Sequence, residues 1–120
     1  MNYFIGLDGG GSNTRAVLVD CFSYRTIEEI TVDRGSNLSD SPEPVHVLYE
    51  LVIKIIEKSS VSYDSIIGIG IGVASSNNKK RRDEVFQKFK SIGLSDRVII
   101  LNDADAAYEV CCLSKKQILV

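Results

Sequence analysis

The sequence predicts an α/β domain: a mixed five-stranded sheet, elements in the order βββαβαβα, with helices on both faces. Three observations lead there. Residues 3–20 hold two apolar, β-prone runs joined by a glycine-rich turn. Residues 66–73 form a nearly continuous apolar run, which suits a central parallel strand buried on both faces. Between and after these stretches, apolar residues recur at helical spacing.

The first two strands and their turn lie in Tyr3-Phe4-Ile5-Gly6-Leu7-Asp8-Gly9-Gly10-Gly11-Ser12-Asn13-Thr14-Arg15-Ala16-Val17-Leu18-Val19-Asp20. Residues 26–32 alternate apolar with polar side chains and read as a third antiparallel strand. Residues 34–40 are a loop by composition. Ser41-Pro42-Glu43 then marks a helix start, with a capping hydroxyl, a proline in the first turn and an acid near the positive end of the dipole. Val45, Leu48, Leu51, Val52, Ile55 and Ile56 make the buried stripe of that helix, which runs through Lys58. In the strand at 66–73, Gly68, Gly70 and Gly72 point to close packing or backbone approach. A second helix covers about 83–92, with Val85, Phe86, Phe89 and Ile92 inward and Gly93 ending it. Residues 97–101 are a further buried strand, 103–112 a third helix, and 117–120 the start of another strand.

The glycine-rich turn carries the chemistry. Consecutive glycines at 9, 10 and 11 allow positive φ and let a ligand approach the backbone. Converging amide N–H groups in such a turn make a concavity for anions. Ser12, Asn13 and Thr14 add short donors, and Asp8 sits where a phosphate-bound Mg²⁺ needs a carboxylate. The pattern suits a nucleotide triphosphate tail. It is not a P-loop, which needs a lysine and leads into a helix. Nor is it a dinucleotide fingerprint, because β-prone Ala16-Val17-Leu18-Val19 follows. The bland alternative is a hairpin with a glycine-rich turn.

Bulk properties exclude several classes. The 120 residues suffice for one core, and 14 Lys and Arg against 16 Asp and Glu give a net charge of −2. That balance offers no field for nucleic acid or an anionic membrane. No run approaches the roughly 20 apolar residues of a membrane span. Lys79-Lys80-Arg81-Arg82, the one basic run, has no interleaved aromatics and reads as a solvated helix face. The three cysteines, Cys21, Cys111 and Cys112, make no disulfide framework, so a cytoplasmic location is expected.

Four motifs in order resemble one family: Leu7-Asp8-Gly9-Gly10-Gly11-Ser12-Asn13-Thr14, Gly35-Ser36-Asn37, Gly68-Ile69-Gly70-Ile71-Gly72-Val73-Ala74, and Leu101-Asn102-Asp103-Ala104-Asp105-Ala106-Ala107. They are similar to the N-terminal lobe of N-acetylglucosamine kinases and BadF/BadG-type ATPases, in the superfamily of actin, sugar kinases and Hsp70 ATPases. The resemblance implies a ribonuclease H-like (actin-like ATPase) lobe spanning residues 1–120, cut before a second lobe. It implies ATP and Mg²⁺ as cofactors, a small sugar as substrate, and neither nucleic acid nor membrane as partner; homodimerisation is left open. It gives Asp8 the metal, Gly10, Gly11, Ser12, Asn13 and Thr14 the phosphates, and Asn37 the sugar. Asp103 becomes both a sugar contact and the base that takes the proton from the attacking hydroxyl, with Asp105 as its competitor. The alternatives are an activating ATPase for a partner dehydratase, which normally holds an iron–sulfur cluster on cysteines, and a non-enzymatic nucleotide-binding module.

Overall fold

A strand whose residues are apolar on both sides needs neighbours on both edges, and β1 (Tyr3–Gly9) has them. In the computed structural model, which describes residues 1–38 and 41–102, β1 pairs antiparallel with β2 (Thr14–Asp20) and parallel with β4 (Ile66–Val73). β3 (Thr26–Val32) adds to the outer edge of β2, and β5 (Val98–Leu101) pairs parallel with β4. The five strands thus form one mixed sheet in the order β3-β2-β1-β4-β5. Only β3 alternates exposed with half-buried residues along its whole length, as an edge strand with one wet face does.

Two α-helices, α1 (Glu43–Ser59) and α2 (Lys79–Lys90), and two short 3-10 turns, Tyr63–Ser65 and Ser95–Arg97, complete the described residues. The expected stripe of α1 is buried, and Val47 joins it. Its start differs from the expectation: Pro42 is the cap residue and no side chain caps the helix. The Pro42 carbonyl instead accepts from the N–H groups of Val45 and His46, at 3.1 and 3.4 Å. Pro44 in the first turn has no N–H to satisfy, which reduces the need for a capping hydroxyl.

α2 begins four residues before the expected position 83. Asn78 caps it, accepting from the Arg81 N–H at 3.2 Å, and so draws the basic run into the first turn. Its end is as expected. Gly93 takes φ +75°, and the bonds Leu94 N–H to Phe89 O (3.0 Å) and Gly93 N–H to Lys90 O (3.1 Å) close a Schellman motif.

Both described helices lie on one face of the sheet. They meet each other, with the Tyr49 and Phe89 rings edge to face at 5.7 Å, and feed one core cluster with Ile5, Leu7, Leu18, Ile69 and Ile71. Fully burying each such aliphatic side chain contributes about 1.5–3 kcal/mol. The opposite face carries a smaller cluster of Phe4, Val17, Val19 and Cys21, flanked by Ile67 and Ile99. The third helix at 103–112, with Cys111 and Cys112, and the strand at 117–120 lie outside the described residues. Among the described residues no helix is long and apolar enough to cross a membrane.

Candidate functional site

The strand alternation that buries Ile5 and Leu7 delivers Asp8 to the end of β1, exposed and in register with Gly72 on one side and Arg15 on the other. Among the described residues no hydrogen bond or ion pair engages its carboxylate. Beyond it the turn closes by a bond from Gly10 N–H to Asn13 O at 2.8 Å. Gly10, Gly11, Ser12 and Asn13 are all exposed, and a side chain added at Gly11 would meet nothing within 4 Å. The outer surface of this turn is therefore open to a ligand.

The expectation of positive φ in this turn does not hold. None of Gly9, Gly10 and Gly11 takes positive φ. Gly9, with Gly35 opposite, allows close approach by the loop after β3. A Cβ on Gly9 would lie 1.8 Å from Ser36 Oγ, and one on Gly35 would lie 2.2 Å from the Gly11 carbonyl oxygen. Ser36 N–H donates to Gly10 O at 3.0 Å. Thr14 Oγ1 donates to the Arg34 carbonyl at 2.8 Å and lies 2.9 Å from Ser36 Oγ, with Thr14 and Ser36 both fully buried. The Thr14 hydroxyl is thus committed to bracing the loop, whereas Gly10, Gly11, Ser12 and Asn13 remain exposed on the surface of the turn.

Asn37 is held from both directions. Ser36 is tied to the turn, and Leu38, fully buried, donates its N–H to Ala74 O at 3.1 Å. Arg34 pins the start of the loop to α1 through Glu43 and Glu50, pairs that are half-exposed and contribute at most about 1 kcal/mol each. Gly35→Ala is expected to force this loop off the turn. Both clashing groups are backbone and cannot rotate away, so a destabilisation of about 1–3 kcal/mol should follow, read as a lowered thermal midpoint. An unchanged midpoint would show that the two segments do not depend on each other.

The residues after β4 complete the rim. Ser75 takes φ +61°, a left-handed backbone that non-glycine residues adopt rarely and that concentrates at functional sites. Ser76 is buried and its hydroxyl donates to Asn102 Oδ1. The structure thereby gathers Asp8, the turn 10–13, Asn37, residues 74–76 and Asn102 at the carboxyl ends of β1, β4 and β5. Ligands of open α/β sheets bind at that edge. Asp103 and Asp105 lie outside the described residues; Asp103 follows Asn102 directly in the chain.

Among the described residues no three His, Cys, Asp or Glu side chains form a metal cluster. Asp8 beside an exposed glycine-rich turn still fits Mg²⁺, which keeps most of its water and takes only one or two carboxylates. A groove of about 650 Å³ lies elsewhere, between α1 and α2, lined by Val45, Tyr49, Gln87 and Ser91 among others. None of the turn or loop residues borders it.

Sequence reasoning missed Arg82. Its guanidinium donates to the carbonyls of Ser76 and Ile100, at 2.9 and 3.2 Å, and so it does not belong to a solvated face. The available signal was its spacing: residues 82, 85, 86 and 89 fall on one helical stripe, three of them apolar.

Over 108 residues the chain is 30% identical to the N-acetylmuramic acid/N-acetylglucosamine kinase of Clostridium acetobutylicum. The chain is thus similar in sequence to a sugar kinase. The match covers 89% of this chain and 35% of that kinase, so the chain spans about a third of its relative's length. Its fold is similar to that of the ROK hexokinase from Thermus thermophilus, with a TM-score of 0.57 at 16% identity over 82% of this chain and 34% of the hexokinase. No protein-family model matches the chain.

Proposed function

We propose that the chain is a ribonuclease H-like N-terminal lobe of an ATP-dependent sugar kinase, transferring the γ-phosphoryl group of Mg-ATP to a hydroxyl of an N-acetylated amino sugar. The observation that carries this reading is the docking of loop 34–38 onto the turn 10–13. It makes one rigid unit of the segment assigned to phosphate and the segment assigned to sugar. Phosphoryl transfer rests on positioning and charge stabilisation more than on covalent chemistry, so a fixed spacing between the two is what the reaction needs.

In this reading Asp8 orders Mg²⁺, which would neutralise charge on the phosphates. The exposed turn of Gly10, Gly11, Ser12 and Asn13 meets the phosphates, with the Gly10 N–H itself closing the turn on Asn13 O, and backbone donors aimed at developing charge need no reorganisation during the reaction. Thr14 acts through the brace to Ser36 and Arg34. Asn37 holds the sugar, and Asp103 also contacts it and takes the proton of the attacking hydroxyl.

The test is sugar-dependent release of ADP by the complete gene product, supplied with Mg-ATP and a panel of hexoses and N-acetylhexosamines. Release stimulated by an N-acetylhexosamine supports the reading; no stimulation by any sugar removes it. The 120-residue chain on its own is expected to fold and yet turn over little, because the lobe offers only one side of the proposed cleft. Circular dichroism and the same assay check this, and efficient phosphorylation by the chain alone would contradict the two-lobe proposal.

A further inference from the structure

We propose that Arg82 is a positioning residue for the segment that carries Asp103. The proposal rests on the kinase reading and names a part of the site that the sequence motifs do not contain. Among the described residues, backbone pairing between β4 and β5 runs from Ile69 opposite Val98 to Gly72 opposite Leu101. Beyond that point side chains join the two chain segments.

Arg82 Nη1 donates to Ser76 O, in the loop after β4, and to Ile100 O, in β5. Ser76 Oγ donates to Asn102 Oδ1 across the same gap. Arg82, Ser76, Ile100 and Asn102 thus close a ring of contacts in which each segment is tied to the other twice. Asn102 is the last residue before Asp103, so the ring fixes the start of the peptide that leads to the proton acceptor.

Arginine suits this task for a chemical reason. Both bonds leave from the one Nη1, whose two N–H groups are held in the guanidinium plane, whereas lysine offers a point charge on a flexible stem. Among the described residues no carboxylate pairs with Arg82, so its donors go to the two carbonyls. The helix start supports the geometry. The Asn78 cap fixes the first turn of α2, and Arg82 N–H donates to Asn78 O at 3.0 Å.

The test compares wild type, Arg82→Met, Arg82→Lys and Ser76→Ala in the complete gene product. Arg82→Met is expected to lower kcat about 10²-fold, the scale of a misplacement near 1 Å, while the KM for ATP stays within about twofold. Arg82→Lys should recover only part of the loss, and Ser76→Ala should lose about tenfold in kcat. The Asn102 side-chain amide signals in a ¹H–¹⁵N spectrum should shift in Arg82→Met. A kcat within about threefold of wild type, equal losses in kcat and in ATP affinity, or full recovery by lysine would overturn the proposal. Should Arg82→Met fail to fold, Ser76→Ala decides by the same measure. A wild type without sugar-dependent turnover would instead remove the kinase reading, and the Asn102 signals would still decide whether Arg82 holds that segment.

Discussion

Replacing Asp103 with asparagine is expected to lower kcat of the complete gene product about 10²–10⁴-fold, the usual contribution of a general base. Asparagine keeps the shape and most of the hydrogen bonding of aspartate and removes only its capacity to take a proton. The residues assigned to phosphate lie on β1 and its turn, so the affinity for ATP should stay nearly constant. Asp105→Asn, assayed beside it across the same panel of hexoses and N-acetylhexosamines, identifies the base. A loss confined to the second variant moves the base by two residues. No loss in either would mean that neither aspartate takes the proton, and the kinase reading would fail with it.

Asp8→Ala is expected to reduce ATP turnover about 10²–10³-fold, as loss of one preorganised electrostatic group does, without lowering the thermal midpoint. Its carboxylate is exposed at the end of β1 and braces nothing among the described residues, so the fold does not depend on it. That separates it from its neighbours. Gly9 and Thr14 flank the turn as structural elements, and changing either would disturb loop 34–38 before it touched a ligand. Steady-state kinetics over a range of Mg²⁺ concentrations checks the assignment. Near-normal turnover in Asp8→Ala would remove the phosphate reading of the turn.

The parts legible in the sequence are those set by local pattern. Alternation at 26–32, the helical stripe from Val45 to Ile56 and the unbroken apolar run at 66–73 each needed only near neighbours to be read, and each became the expected element. What depended on distant partners was not legible. Three glycines in a turn suggested positive φ; none takes it, and Gly9 instead gives clearance to Ser36, more than 20 residues away in the chain. Thr14 looked like one more phosphate donor because nothing local shows that its hydroxyl is spent on Arg34. The basic run looked like a wet helix face, since composition does not reveal that one of four cations turns inward to carbonyls of a neighbouring strand. The shared face of α1 and α2 depends on how two crossovers pack, which residue periodicity does not encode.

The pairing of β1 has a consequence for the order in which the molecule assembles. Its antiparallel partner β2 follows after a four-residue turn, whereas its parallel partner β4 comes more than 50 residues later. Closing a short turn is fast, with hairpins forming in about 1–10 μs, while the longer closure must first overcome more chain entropy. The phosphate turn therefore belongs to the earliest structure in the chain. Loop 34–38 comes last, because Leu38 cannot dock until Ala74 has been carried in by β4. On this order the protein acquires the surface proposed for phosphate well before the one proposed for sugar, and a refolding experiment should see phosphate protect the turn before any sugar protects the loop.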